Sequence, residues 1–372
     1  MLNDIKSNME LMGGLAMLIS FLLVYFVIPK VIWINQYRHL MDNPDYRSSH
    51  SRSTPTMAGF SFFIALPIVI FFISGWDVDN ININYIASIV VVFAIGIKDD
   101  LARSTPSAKI VGEIIAILFV LNCDCIQISS LEGFLGIYEI PSFFSNILII
   151  LTVLTIINAY NLIDGIDGLA ASIGVTIFSI YALVYYVLGL NFYFLLSISL
   201  IGMLLAFLRY NISNSDRIFM GDTGSLIIGF SIGFLTLKFL SMNPSQFNHF
   251  TFLPENKIII VAAILCIPLF DTFRVFTIRL LNKKNPFDPD RNHMHHVLID
   301  NGLSHFNASI FLAISNYVIA LILIYGSSLF NSYIMLVVLI LVYALFLLLF
   351  YKLKQIALIK DRVNIGATKE IN

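Results

Sequence analysis

At 372 residues, 58% hydrophobic and only 12% charged, the chain is too apolar for a water-soluble domain, which carries about 25% charged residues. A net charge of −1 supplies no field for nucleic acid. What remains is an all-α polytopic membrane protein, whose 32 Phe and 16 Tyr suit lipid-facing and interfacial surfaces.

Apolar runs predict about eleven helices, near residues 11–34, 57–75, 84–98, 109–121, 143–159, 169–188, 191–208, 223–241, 257–278, 308–326 and 331–351. The third and fourth are short enough to be tilted or re-entrant, which puts the number of full spans at about ten to eleven. The first is long enough to span and carries no small-residue cleavage site. Residues 126–140 alternate weakly, as a small hairpin or an amphipathic piece would. No repeat and no second soluble domain stand out. The chain reads as one integral-membrane domain over 1–372, with a core at 11–351 and a cytoplasmic tail at 352–372.

Lys and Arg set the orientation. Arg38, Arg47, Arg52, Lys98, Arg103, Lys109, Arg209, Arg217, Arg279, Lys283, Lys284 and Arg291 fall in one set of connections, together with the basic tail. The opposite connections, near 76–83, 122–142, 189–190, 242–256 and 327–330, carry none, and only Lys6, Lys238 and Lys257 lie on or near that side. The positive-inside rule then puts the N-terminus outside and the C-terminus in the cytoplasm.

Every unusual polar cluster falls on that cytoplasmic side. Arg47 to Gly59, with His50 and Arg52, leads into the second run; a positive flank explains its arginines but not its histidine. Asp99 and Asp100 end the third run, with Lys109 at the start of the fourth. Adjacent acids repel, so they suit a metal, a proton-accepting role or a cation partner better than a plain flank. The stretch Asn158-Ala-Tyr-Asn-Leu-Ile-Asp-Gly-Ile-Asp-Gly-Leu-Ala170 spaces Asn158, Asn161, Asp164 and Asp167 three apart, roughly on one helix face or its fraying end. Gly165 and Gly168 within it permit a sharp turn or close approach of a ligand. Phe219-Met-Gly-Asp222-Thr-Gly-Ser225 opens the eighth run. Asp222 there either caps the helix or holds a divalent cation, and the helix start offers backbone N–H groups to an anion. Asp290-Arg291-Asn-His293-Met-His295-His296 closes the series; its histidines could take zinc, but Arg291 favours phosphate. Acids, a lysine, an arginine and histidines on one membrane face describe a site for a divalent cation and a diphosphate. A transporter with acids on broken helices, or an intramembrane aspartyl protease, would instead place its acids deep in the bilayer.

These motifs resemble the polyprenyl-phosphate N-acetylhexosamine-1-phosphate transferases, glycosyltransferase family 4, in their WecA/TagO-like branch, with the MraY enzymes as relatives. The resemblance runs from Arg47 to His296, and the order of Asp99-Asp100, Asn158 to Ala170 and Met220 to Ser225 is highly specific. The chain departs from the usual pattern at Phe60, where many members have glycine, and at Met294, where isoleucine or leucine is common.

The resemblance implies transfer of N-acetylhexosamine 1-phosphate, with GlcNAc as the default sugar, from a UDP-sugar to undecaprenyl phosphate in the bacterial inner membrane. It implies magnesium, replaceable by manganese, at Asp222 and Asn161. It implies a uridine pocket of Gly165, Asp167 and Phe219, and donor diphosphate and sugar contacts at Lys109, Arg291 and His293. Asp99 and Asp100 would serve the lipid phosphate, Asp164 would join the catalytic groups, and Asn158, His295, His296 and Arg52 would bind substrate. A homodimer is compatible with the family. The neighbouring expectation is MraY-type transfer of phospho-MurNAc-pentapeptide.

Overall fold

The computed structural model describes residues 8–42, 53–74, 80–102, 104–123, 126–247, 250–285 and 292–369. Each of the eleven apolar runs falls on helix. In chain order these are α1 (Met9–Arg38), α2 (Gly59–Ser74), α3 (Asn80–Leu101), α4 (Pro106–Leu121), α5 (Ser142–Ile163), α6 (Leu169–Val187), α7 (Asn191–Asn211), α8 (Gly221–Leu240), α9 (Lys257–Ile264), α10 (Cys266–Leu281), α12 (His305–Gly326) and α13 (Ser332–Lys369), the ninth run being divided between α9 and α10. The short helix α11 (Met294–Asp300) carries the histidine segment. Among the described residues, α1, α5, α6, α7, α8, α12 and the part of α13 up to Lys360 are long and apolar enough to cross a membrane, and the α9–α10 pair makes a bent eighth.

Local chemistry sets several of the helix starts. Asn8, Thr105 and Ser304 each accept a backbone N–H from the first turn of α1, α4 and α12. Pro106 adds a preset φ at the first position of α4, where its missing N–H costs nothing. The stretch 126–140 contains an antiparallel hairpin, β3 (Ser130–Phe134) with β4 (Ile137–Glu139). A second, two-residue pair joins β1 (Met41–Asp42) to β2 (Thr54–Pro55).

Two departures from the sequence reading have physical causes. The ninth run is broken at Leu265, where α9 and α10 meet at 73°. Pro268 has no N–H to offer the Ile264 carbonyl one turn back. The buried Asn316 of α12 takes over, donating to Ile264 O at 3.0 Å and accepting Ile267 N–H at 2.9 Å. The last helix also continues through the segment expected to be a tail. Lys354 pairs with Asp300 at 3.6 Å and Asn301 donates to Leu353 O at 3.0 Å, which fastens this extension to α11.

The most enclosed of the spanning helices is α8, with 94% of its apolar window buried, whereas α13 has 11% buried and packs against the rest along one side. α8 packs against α2, α3 and α5. At the first turn of α8 the contacts with α2 and α3 are backbone against backbone. A Cβ on Gly59 would run into the backbone of Gly224, and one on Gly96 into Thr223. Those two glycines bring the ends of α2 and α3 against the first turn of α8.

Candidate active site

The start of α8 is tied down from two sides. Phe219 N–H donates to Pro55 O at 2.9 Å, while Ala58 and Gly59 N–H donate to Phe219 O and Met220 O at 3.2 Å each. Gly221 then turns the chain at φ 72°, a conformation that L side chains rarely adopt. A Cβ there would also sit 2.9 Å from both carboxylate oxygens of Asp100. No side chain from its own segment caps α8. Asp100 of α3 does so instead, accepting Asp222 N–H at 2.8 Å, Thr223 N–H at 3.1 Å and the Thr223 hydroxyl at 2.5 Å. The anion at this helix start is therefore part of the protein, and it complements the partial positive charge of the N-terminus.

Asp222 is thereby free of capping. Its Oδ1 accepts Lys109 Nζ at 2.6 Å and Asn161 Nδ2 at 2.7 Å, and Asn161 also donates to Ser225 Oγ at 2.7 Å. Lys109 reaches Asp99 Oδ2 at 3.2 Å, and Asp99 accepts Ser104 N–H at 2.6 Å. The predicted Asp99, Asp100, Lys109, Asn161 and Asp222 thus form one connected group, drawn from α3, α4, α5 and α8. One turn before Asn161, Asn158 donates to Glu113 Oε2 of α4 at 2.9 Å. Asp164, just beyond the end of α5, is partly buried. Burial, with the charges of Asp222, Asp100 and Asp167 nearby, pushes its carboxyl up to about 7.

Asp167 belongs to a neighbouring group. Its Oδ2 receives Arg217 at 3.0 Å and lies 3.1 Å from His305 Nδ1, while Ser309 donates to its backbone carbonyl at 2.8 Å. Asn211 holds the same loop, accepting Gly168 N–H at 2.6 Å and donating to Ile218 O at 2.9 Å. The histidine segment is anchored separately. His293 Nδ1 meets Asp271 Oδ2 at 2.7 Å, Met294 N–H donates to Asp271 Oδ1 at 2.7 Å, and Arg274 holds the Asn292 carbonyl. His293 and His295 stack with ring centroids 5.6 Å apart, and His296 lies 4.3 Å from His295. His295 is buried, and neither ring nitrogen meets a hydrogen-bond partner among the described residues. Burial, with His296 close by, holds it well below the ordinary histidine value. Gly165 faces His295 so closely that a Cβ would strike its ring, which brings the Asp164–Asp167 loop and the histidine segment together. Phe219 is partly exposed, its backbone paired with Pro55 and Ala58. Arg47, His50, Arg52 and Arg291 lie outside the described residues.

Sequence reasoning passed over Glu113, Asp271, Arg274 and His305, and counted Arg217 only as a flanking charge. Asp271 and Arg274 did leave a signal, an acid and a base three apart inside an apolar run. Glu113 stands one helical turn from Lys109, which is the same kind of signal.

Among the described residues, no group of three or more His, Cys, Asp or Glu is gathered to hold a metal ion. The donors at the first turn of α8 are the Asp222 carboxylate and, with its amide turned, the Asn161 oxygen. Hard oxygen donors in small number fit magnesium, which takes one or two carboxylates and completes its shell with water and substrate phosphate.

The description glycosyl transferase family 4 fits residues 82–240, the span from α3 to α8 that carries this connected group. The chain is 30% identical over 312 residues to an undecaprenyl-phosphate alpha-N-acetylglucosaminyl 1-phosphate transferase of Haemophilus influenzae, covering 82% of this chain and 84% of that protein. A Pasteurella multocida protein of the same name is 29% identical, with 91% of each chain covered. A phospho-N-acetylmuramoyl-pentapeptide-transferase of Staphylococcus haemolyticus is 31% identical over 59% of this chain and 73% of its own length.

Proposed function

The chain belongs to glycosyl transferase family 4, and on that premise we propose that it transfers N-acetylglucosamine 1-phosphate from UDP-GlcNAc to undecaprenyl phosphate, releasing UMP. The observation that carries this reading is the Lys109–Asp222–Asn161 group, set at the ends of α4, α8 and α5 rather than midway along them. A site at helix ends can meet a water-soluble donor and a lipid phosphate together. The Lys and Arg asymmetry favours a cytoplasmic setting for that end. The apolar helices and the bacterial relatives support a multi-pass bacterial membrane protein, for which the inner membrane is our assignment.

The residues divide by what they can hold. Asp222 and Asn161 would hold magnesium, with manganese able to replace it, and the cation when bound supplies charge neutralisation for the donor diphosphate. Lys109 adds a fixed positive charge beside it, and Asp99 keeps that ammonium in place. Gly165, Asp167 and Phe219 form the uridine side, with Arg217 and His305 fixing the Asp167 carboxylate. His293, His295, His296 and Arg291 form the sugar and diphosphate side, and Asn158 and Arg52 complete the substrate contacts. Asp99 faces the acceptor, while Asp100 serves it by fixing the turn that presents Asp222. An oxygen of the lipid phosphate attacks the sugar-bearing phosphorus, the bond to the UMP oxygen breaks, and UMP departs. A phosphate monoester is largely ionised near neutral pH, its second pKa being about 6, so no strong base is required.

Purified protein with undecaprenyl phosphate and magnesium should turn radiolabelled UDP-GlcNAc into a solvent-extractable lipid, and Asp222→Asn should make none. Transfer from UDP-MurNAc-pentapeptide alone would replace the sugar assignment, and activity of Asp222→Asn at ordinary magnesium would remove the cation assignment.

A further inference from the structure

Glu113 of α4 is completely buried, and the proposed reaction gives it no task. Its Oε2 accepts Asn158 Nδ2 at 2.9 Å, and Asn158 is itself fixed by a second bond to Leu154 O at 2.9 Å. Its Oε1 is shut from solvent and meets no hydrogen-bond partner among the described residues. A buried carboxyl oxygen without a donor is costly, so a donor that reaches it in another state of the protein would be strongly favoured. Lys109 lies four residues earlier on the same helix, hence on the same face. Its ammonium is engaged elsewhere, at 2.6 Å from Asp222 Oδ1 and 3.2 Å from Asp99 Oδ2. Asp222 Oδ1 also takes the Asn161 amide, so that oxygen faces one cation and one further donor. A divalent cation arriving at Asp222 therefore meets an ammonium already in contact with its first ligand atom. Two cations cannot share that oxygen at such a distance without strong repulsion.

We infer that Glu113 is a positioning residue that receives the Lys109 ammonium when a divalent cation takes Asp222. This rests on the cation site of the proposed function. The four-carbon lysine stem carries three rotatable donors. One keeps Asp99, and another turns from Asp222 to the waiting oxygen of Glu113. The displaced charge is then neutralised by a buried acid instead of being left beside the incoming ion, and the orphan oxygen gains its donor. Glu113 touches neither substrate nor metal; it acts through Lys109.

The test is manganese binding to the detergent-purified full chain, read from the electron paramagnetic resonance signal of the free ion, with no sugar nucleotide present. Wild type, Glu113→Gln, Lys109→Met, the double variant and Asp222→Asn are compared. Glutamine keeps an oxygen for Asn158 but offers Lys109 an uncharged group, so Glu113→Gln should weaken manganese binding about tenfold, the scale of one lost charge-assisted hydrogen bond. With Lys109→Met in place there is no ammonium to receive, and adding Glu113→Gln should change the affinity by less than about twofold. Glu113→Asp, which keeps the charge but shortens its reach, is the second variant should the glutamine protein not fold, with the same two outcomes. Unchanged affinity in Glu113→Gln, or an equal loss in both backgrounds, overturns the inference, the latter by showing a packing role. If wild type binds manganese, Asp222→Asn does not, and Glu113→Gln binds as wild type does, this inference alone fails. If wild type does not bind, or Asp222→Asn binds equally well, the cation site fails and takes the inference with it.

Discussion

Adjacent acids that look alike in sequence should fail in opposite ways. Asp100 accepts two backbone N–H groups and a hydroxyl at the start of α8, whereas Asp99 holds Lys109 and the Ser104 N–H. Asp100→Ala removes a helix cap worth about 1 kcal/mol. It also removes a carboxylate from the positive end of the helix, worth about 0.3–1 kcal/mol, and the Thr223 hydroxyl bond, worth about 1 kcal/mol. The sum is about 2–3 kcal/mol, which should lower the melting temperature by several degrees. Asp100→Asn retains acceptor capacity and should fall between. Asp99→Ala removes one partly exposed ion pair, worth about 1 kcal/mol or less, and the acceptor of the Ser104 N–H, worth about 0.5–1 kcal/mol, so it should melt later than Asp100→Ala while losing turnover. Thermal unfolding of the purified variants in detergent, followed by circular dichroism beside the transfer assay, reads both quantities. An Asp100→Ala protein that melts with wild type, or an Asp99→Ala protein that melts as early as Asp100→Ala or earlier, would refute the division.

Gly96→Ala drives a Cβ into the Thr223 backbone and should abolish transfer, while Gly14→Ala, with open space around it, should leave activity and melting unchanged. Phe219→Ala should raise the donor KM about tenfold with little effect on the lipid KM, since aromatic–base stacking is worth about 1–3 kcal/mol; equal effects on both would move the uridine pocket elsewhere. Cysteines introduced at Ser104, Ser215 and Asn292 should react only with a cytoplasmic reagent, and labelling of Ser104 from outside would overturn the orientation. The Asp164 carboxyl stays protonated in the fold up to about 7 but ionises in the unfolded chain above 3.8. Metal-free protein should therefore lose stability as pH rises between those values, and an Asp164→Asn protein with an unchanged slope would show that another group is responsible.

The apolar runs, the hairpin and the polar helix ends could be read from the sequence because each is written within a few consecutive residues. The pairing of those ends could not. Asp100 finds its donors at Asp222 and Thr223 across more than a hundred residues, and Asp222 meets Lys109 at a similar separation. Nothing local distinguishes an acid that caps a distant helix from its neighbour that holds a lysine. The break at Leu265 was half visible, since Pro268 removes a donor from an apolar run. The other half is Asn316, which reads as one more polar residue in α12 until its bonds to Ile264 and Ile267 are seen. Glu113 was hidden by an amphipathic-looking context, although an acid one turn from a lysine on an apolar helix rarely lacks a partner.

The most direct test of the central claim is the identity of the nucleotide released. Purified protein, undecaprenyl phosphate, magnesium and UDP-GlcNAc should yield UMP and the lipid-linked sugar diphosphate in equal amounts, with neither product formed when the lipid phosphate is omitted. Release of UDP, which would mean transfer of the sugar without its phosphate, or UMP release independent of the lipid, would contradict the account.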